Sequence, residues 1–287
     1  MPISGAARLA GIMGWPIAHS RSPALHGYWL AENRIDGAYV PLAVHPDRLE
    51  QALCALPALG FRGCNLTIPH KQAALKVMDR VDAFARRIGA MNTVIVADDG
   101  ALEGSNTDVF GFRENLREQV PDWQPRSGPA VVLGAGGSAR AVIAALGAMG
   151  VGDICLVNRS LGRAETLAGD LAAPETRITV HSWESRAQLL DGAGILVNTT
   201  SLGMDKEPPL DIELGALPLA AVVVDIVYVP LETGLLAAAR RRGHRVVDGL
   251  GMLLHQGRPG FAAWFGVAPE VTRELREAML ATLTGSH

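Results

Sequence analysis

The chain has 287 residues, a length that favours two domains over one. Hydrophobic residues make up 48% and charged residues 19%, which excludes a largely disordered chain. The formal net charge of -3 gives no sign of a general nucleic-acid or membrane-surface binder. Cys54, Cys64 and Cys155 are widely spaced and form no CxxC pair, so neither a disulfide framework nor a zinc site is expected. No apolar run reaches about 18 residues, so no membrane span is expected. The stretch from Met1 to Gly14 lacks a basic segment and a long apolar one, and reads as a buried strand rather than a signal peptide. A reduced, cytoplasmic location is the expectation.

Short β-rich runs alternate with amphipathic stretches and Gly/Pro punctuation, the pattern of an α/β protein. Residues 8–14 (RLAGIMG) read as a strand and 23–33 as a helix. GAYVPLAV is the next strand, PDRLEQALCALPALG the next helix, and FRGCNLTIP a strand followed by helical segments over 70–90. NTVIVADDGALEG reads as a hairpin turning at Asp99-Gly100, with a helix over 108–119 behind it. The Pro-rich VPDWQPRSGP reads as a linker or loop. A second series follows: AVVLGAG, a helix to about 149, DICLVNRS, a helix over 161–172, RITVHSW, ILVNTTS, AVVVDIVYV, a helix over 231–242, and HRVVDG. The tail over 250–284 reads as two helices.

AVVLGAGGSAR combines a strand, a glycine turn and a helix start, the context a dinucleotide-binding fingerprint requires. Gly134 allows the tight turn, Gly136 lets the backbone approach a pyrophosphate, and Ala139 permits close helix–strand packing. The helix N-terminus adds N–H groups and partial positive charge. The next strand ends at Asn158-Arg159-Ser160, with no acid to hold a ribose 2′-OH. Arg159, with Arg163 a turn further on, suits a 2′-phosphate, so NADP is favoured over NAD.

Chemistry-bearing residues cluster before residue 110. HSRSP places Ser20 and Ser22 two apart, with Pro23 suited to the first helical position and Ser22 to the N-cap. Two hydroxyls there would suit a carboxylate, although these two residues taken alone read more simply as a plain N-cap with a solvated neighbour. In NLTIPHK, Asn65 and Thr67 fall on one face of a strand, and Lys71 sits near the start of the following helix, where the dipole opposes its charge and proton transfer becomes a role for it. The bland alternative is a solvent-facing lysine. In SNTD, Asn106, Thr107 and Asp108 lie between a strand and a helix, so Asp108 is either an N-cap or a carboxylate that pairs with Lys71. Asn92 in GAMNT is a further buried-polar candidate.

Taken together, GWPIAHSRSP, NLTIPHK, GAMNT, SNTD, GAGGSAR, NRS, NTTSLGM, DIVY and DGLGMLLHQG resemble, in order and spacing, the shikimate dehydrogenase family of the aromatic biosynthesis pathway. The resemblance implies two α/β domains: an N-terminal substrate domain with a mixed sheet and a Rossmann-like NADP domain, with a cleft between. It places the substrate and catalytic domain at 1–109 plus 249–287 and the NADP domain at 110–248. It implies Lys71 and Asp108 as the catalytic pair, and Ser20, Ser22 and Tyr228 at the substrate carboxylate. Asn65, Thr67, Asn92 and Gln256 would be further substrate contacts. Gly134, Ala135, Gly136, Gly137 and Ser138 would form the pyrophosphate turn, and Asn158, Arg159, Ser160 and Arg163 the 2′-phosphate clamp. Thr199, Met204, Gly249 and Met252 would line the rest of the NADP site. The implied reaction is NADPH-dependent reduction of 3-dehydroshikimate to shikimate by a monomer or homodimer, with a small-molecule substrate, no metal, no nucleic acid and no membrane. The alternatives are a quinate/shikimate dehydrogenase with relaxed NAD/NADP use and, remotely, a non-catalytic NADP-binding sensor.

Overall fold

In the computed structural model, which describes residues 3–284, the chain divides into two compact units, Met1–Thr107 with Leu254–His287 and Asp108–Leu253. The first unit opens with β1 (Arg8–Gly14), α1 (Ser22–Glu32), β2 (Gly37–Ala43), α2 (Leu49–Ala55) and β3 (Phe61–Leu66). It continues with β4 (Arg80–Val81), α3 (Ala83–Ile88), β5 (Thr93–Val96) and β6 (Leu102–Ser105). The second unit holds α4 (Asp108–Gln119), β7 (Ala130–Leu133), α5 (Gly137–Ala148), β8 (Asp153–Asn158), α6 (Leu161–Asp170) and β9 (Arg177–Ser182). Then come β10 (Ile195–Asn198), β11 (Val222–Asp225), α7 (Gly234–Arg241) and β12 (Arg245–Val247). Helix α8 (Gly249–Phe265) carries the chain from the second unit back into the first, which ends with α9 (Arg273–Thr284). Among the described residues, no helix is long and apolar enough to cross a membrane.

The first unit is built on a mixed sheet of order β2-β1-β3-β5-β6-β4. β1 runs parallel to both neighbours, whereas β5 is antiparallel to β3 and to β6. One face covers Met13, Leu53, Leu56, Cys64, Leu66, Met91 and Val94. Trp29, Phe261, Trp264 and Phe265 are also buried, so α8 supplies much of the aromatic core. The Trp264 indole donates to the Val94 carbonyl at 3.0 Å. Gly63 lies under this contact with φ 146°, and a Cβ there would overlap the Val94 oxygen and the indole nitrogen. Gly63→Ala is therefore expected to cost about 3 kcal/mol or more, since backbone and a packed ring cannot both withdraw. A Tm close to that of the parent would show that the strand relaxes instead.

The second unit is a fully parallel sheet of order β12-β11-β10-β7-β8-β9. Strands buried on both faces need continuous apolar runs, which AVVL, ILVN and VVVD provide. The order reverses between β7 and β10, the switch point of a doubly wound Rossmann-like sheet, where ligands meet the strand carboxyl ends. The VPDWQPRSGP loop is internal to this unit, and its Trp123 is buried with the indole donating to the Gly194 carbonyl at 3.3 Å.

Several elements differ from the sequence reading. Only residues 8–14 of the N-terminal stretch form a strand, and residues 3–6 are exposed. The region 70–90 contains a 3-10 turn over Ala73–Lys76 and the short β4 as well as α3. Two residues cannot display an alternating pattern, and β4 exists because β6 offers it a parallel edge. Helix α1 begins at Ser22 itself, with Arg21 at the cap position and no side-chain capping bond. Thr67 stands one residue beyond the end of β3, and Lys71 precedes the 3-10 turn rather than an α-helix. A four-residue turn has almost no aligned dipole, so the helix-end field expected at Lys71 is absent.

Candidate functional site

In the first unit, four of the polar residues singled out in the sequence, Asn65, Asn92, Thr107 and Gln256, share one network. Asn65, on β3, donates from Nδ2 to the Asn92 carbonyl at 3.0 Å and to Thr93 Oγ1 at 3.1 Å. Asn92 lies between α3 and β5 and is 1% exposed. Its Oδ1 accepts from the Thr107 backbone N–H at 2.8 Å, while its Nδ2 donates to Gln256 Oε1 on α8 at 2.9 Å. An asparagine at this junction uses both ends of its amide to join segments distant in sequence. Buried amides left unmatched would each cost about 1–3 kcal/mol, so the network is specified as a whole.

Around it, Ser20 accepts a 3.3 Å hydrogen bond from the Ser22 backbone N–H. Thr67 is half-buried; its N–H donates to the Met13 carbonyl and its carbonyl accepts from the His70 N–H at 2.8 Å. His70 is buried, and Nε2 donates to the Val44 carbonyl at 2.9 Å, which ties the turn to the segment after β2. Burial lowers the His70 pKa from its ordinary value, so the ring is neutral near pH 7. The Lys71 carbonyl accepts from the Met91 N–H at 2.9 Å, which brings the lysine backbone beside the residue preceding Asn92. Lys71 itself is half-buried. Asp108 follows Thr107 directly, opens α4 and is 4% exposed.

In the second unit, Gly134 ends β7 with φ 104°, and a Cβ there would come within 2.9 Å of Thr199 Oγ1 and Thr200 Cγ2. Thr199 follows β10 across the switch point and donates from Oγ1 to the Leu133 carbonyl at 2.6 Å. Gly136 is the N-cap of α5, and an added Cβ there meets nothing within 4 Å. The first turn of α5, containing Gly137 and Ser138, has no side-chain capping bond and no acidic residue. Open space before an uncapped helix N-terminus fits a pyrophosphate, and Ala135 lies in the same turn. At the end of β8, Asn158 Nδ2 donates to the Ser160 carbonyl at 2.8 Å, shaping the loop that carries Arg159. Arg159, Ser160 and Arg163 are exposed, and neither arginine forms an ion pair among the described residues. The donor set therefore fits a 2′-phosphate. Met204 is exposed, and Met252 is buried. Gly249 opens α8 where a Cβ would overlap the Ile226 carbonyl.

Tyr228 is half-buried, three residues beyond Asp225 at the end of β11. The Asp225 carboxylate accepts from Val227 N–H and Asn198 Nδ2, both at 3.0 Å, and from Thr233 Oγ1 at 2.7 Å. Burial nevertheless pushes its pKa from 3.8 up to about 6. The folded state therefore holds this proton more tightly than the unfolded chain. The contribution is fully present below about pH 4 and lost as pH rises to about 6, on the order of 3 kcal/mol in all. Asp225→Asn is expected to flatten that part of a stability-versus-pH curve from denaturant melts. An unchanged slope between pH 4 and 6 would assign it to other groups.

Two residues of the network escaped the sequence reading. Thr93 Oγ1 bonds Asn65, Asn92 and Thr107, and Tyr39 donates from Oη to Asn65 Oδ1 at 2.6 Å. Thr93 stands in GAMNT beside Asn92 and could have been found there; Tyr39 carries no local signal, because its partner is remote in sequence.

Residues 12–94 match the family described as shikimate dehydrogenase substrate binding domain, and residues 117–204 match shikimate / quinate 5-dehydrogenase. A relative named shikimate dehydrogenase (NADP(+)), from Rhodospirillum rubrum, is 61% identical over 97% of this chain and 99% of its own. Another of that name, from Paramagnetospirillum magneticum, is 58% identical over 97% of this chain and 100% of its own. Among solved structures, quinate dehydrogenase from Corynebacterium glutamicum in complex with NAD is 32% identical, with a TM-score of 0.89 over 96% of this chain and 99% of that one. With identity sustained at this level along nearly its whole length, the chain belongs to the shikimate dehydrogenase family.

Proposed function

We propose that this chain catalyses the reversible NADPH-dependent reduction of 3-dehydroshikimate to shikimate in aromatic amino-acid biosynthesis. The observation that carries the reading is the 61% identity over 97% of the chain to a relative named for that activity. The buried Asn65–Asn92–Gln256 network supports it, because a small polyhydroxylated acid needs preorganised amides and hydroxyls for recognition.

In this reading the mixed-sheet unit holds the substrate and the parallel-sheet unit holds NADP. Bound NADPH supplies the hydride that the ring ketone accepts. Lys71 meets the negative charge that grows on the ketone oxygen and donates the proton; in the oxidation direction it takes the proton from the hydroxyl. Asp108 hydrogen-bonds the same region and positions Lys71. Ser20, Ser22 and Tyr228 bind the carboxylate, while Asn65, Thr67, Asn92 and Gln256 bind ring hydroxyls. Gly134, Ala135, Gly136, Gly137 and Ser138 surround the pyrophosphate. Asn158, Arg159, Ser160 and Arg163 hold the 2′-phosphate, and Thr199, Met204, Gly249 and Met252 complete the wall. The enzyme acts in the cytoplasm as a monomer or homodimer, with no nucleic-acid or membrane partner.

The test is absorbance at the NADPH band with shikimate or quinate against NADP or NAD. Turnover with shikimate and NADP alone is expected. Comparable turnover with quinate or NAD would move the chain to the dual-specificity reading, which the similarity to the NAD complex of a quinate dehydrogenase makes specific. NADP binding without turnover of either acid would leave a sensor.

A further inference from the structure

Tyr39 is on β2 and Asn65 on β3, with β1 between them. The register partner of Tyr39 on β1 is Ala10, which in turn pairs with Gly63 on β3. Small residues at both positions let a phenol pass over β1, and its hydroxyl meets Asn65 Oδ1 at 2.6 Å. The ring is clamped on the way. His26 stacks on it at 3.9 Å with the planes 1° apart, and Trp264 packs at 6.0 Å. His26 is buried and burial pushes its pKa down to about 3, so a neutral imidazole faces the phenol.

The direction of each hydrogen bond follows from the partners. One atom of the Asn65 amide faces the Asn92 carbonyl at 3.0 Å, a group that only accepts, so this atom is the nitrogen. The other is then the oxygen, and Tyr39 must spend its single proton on it. A directed chain runs from Tyr39 through Asn65 to Asn92 and Thr93. Both Asn65 N–H groups are already given to Asn92 and Thr93, so the remaining lone pair of Oδ1 is what this side chain offers a ligand.

We propose that Tyr39 is a positioning residue for substrate recognition: its hydroxyl donates to the Asn65 amide oxygen and aims the lone pair that remains there at a substrate hydroxyl. The proposal rests on the substrate role assigned above to Asn65. Without the phenol oxygen, Asn65 Oδ1 loses its donor and the amide is held from its nitrogen side alone, by Asn92 and Thr93.

Tyr39→Phe removes that oxygen and keeps the ring against His26. The expected result is a KM for shikimate raised about tenfold, the effect of one buried hydrogen bond lost. KM for NADP and kcat should stay within about twofold of the parent, and calorimetry with shikimate alone should show the same weakening. Thr93→Val, which removes the Asn65 partner on the other side, should shift KM for shikimate in the same direction and serves if the phenylalanine variant does not fold. An unchanged shikimate KM in a folded variant overturns the proposal, as does an equal loss in both KM values and kcat with a lowered Tm, the mark of a structural role. Failure of the unmodified chain to turn over shikimate would instead overturn the functional reading, and this proposal with it.

Discussion

Lys71→Met is expected to lower kcat for shikimate oxidation by about 10²–10⁴-fold, the range for loss of a positioned proton carrier, while KM for shikimate changes little. Methionine keeps the length and apolar stem of the side chain and removes only its charge and protons. The backbone at this position is independently held: the Lys71 carbonyl accepts from Met91, and the neighbouring His70 ring is pinned to Val44. The substitution should therefore leave the turn in place, and an unaltered Tm is part of the expectation. A transition-state role predicts equal falls in kcat and kcat/KM, because the interaction forms only as charge develops on the ketone oxygen. If KM rises and kcat holds, Lys71 binds the substrate in its ground state and the proton carrier lies elsewhere.

Arg159→Ala is expected to raise KM for NADP about 10–100-fold and to leave KM for NAD nearly unchanged, because charge-assisted bonds to phosphate are worth roughly 1.5–3 kcal/mol. Arg159 is exposed, its loop is shaped by the Asn158–Ser160 bond, and it forms no ion pair among the described residues. Its charge thus has no protein carboxylate to leave when a phosphate arrives. Arg163, one turn into α6, should carry part of the residual preference, so the double variant should approach parity between the two dinucleotides. Because the site is exposed, raising ionic strength should increase KM for NADP in the parent more than in the variant. Equal increases for NADP and NAD would place Arg159 at a part of the dinucleotide they share.

Regular elements were legible where a pattern had room to repeat. The run AVVL followed by GAGGSAR specifies β7, its turn and α5 in eleven residues, since a buried parallel strand, a forced left-handed glycine and a helix start each leave a local mark. Features created by neighbours left none. β4 is two residues borrowed onto the edge of β6. The strand carrying Asn65 stops before Thr67, because pairing with β1 ends at Leu66 and the chain turns there. Lys71 looked like a helix-start residue because Pro69 punctuates the stretch, yet only a 3-10 turn follows. Tyr39 was the least visible. A tyrosine in an alternating strand reads as core, and its second identity arises from Asn65, 26 residues away and across another strand.

The bond from Asn92 to Gln256 spans 164 positions, and Trp264 reaches back to Val94 across 170. These contacts set an order of manufacture. During synthesis the parallel-sheet unit, contiguous from Asp108 to Leu253, has every one of its residues before the last segment is made. The mixed-sheet unit begins first and finishes last, waiting with an unsealed aromatic core until Phe261, Trp264 and Phe265 emerge. A message cut short after residue 253 would thus yield a complete nucleotide-type sheet joined to a half-built partner, with its newly made hydrophobic surface exposed to whatever meets nascent chains.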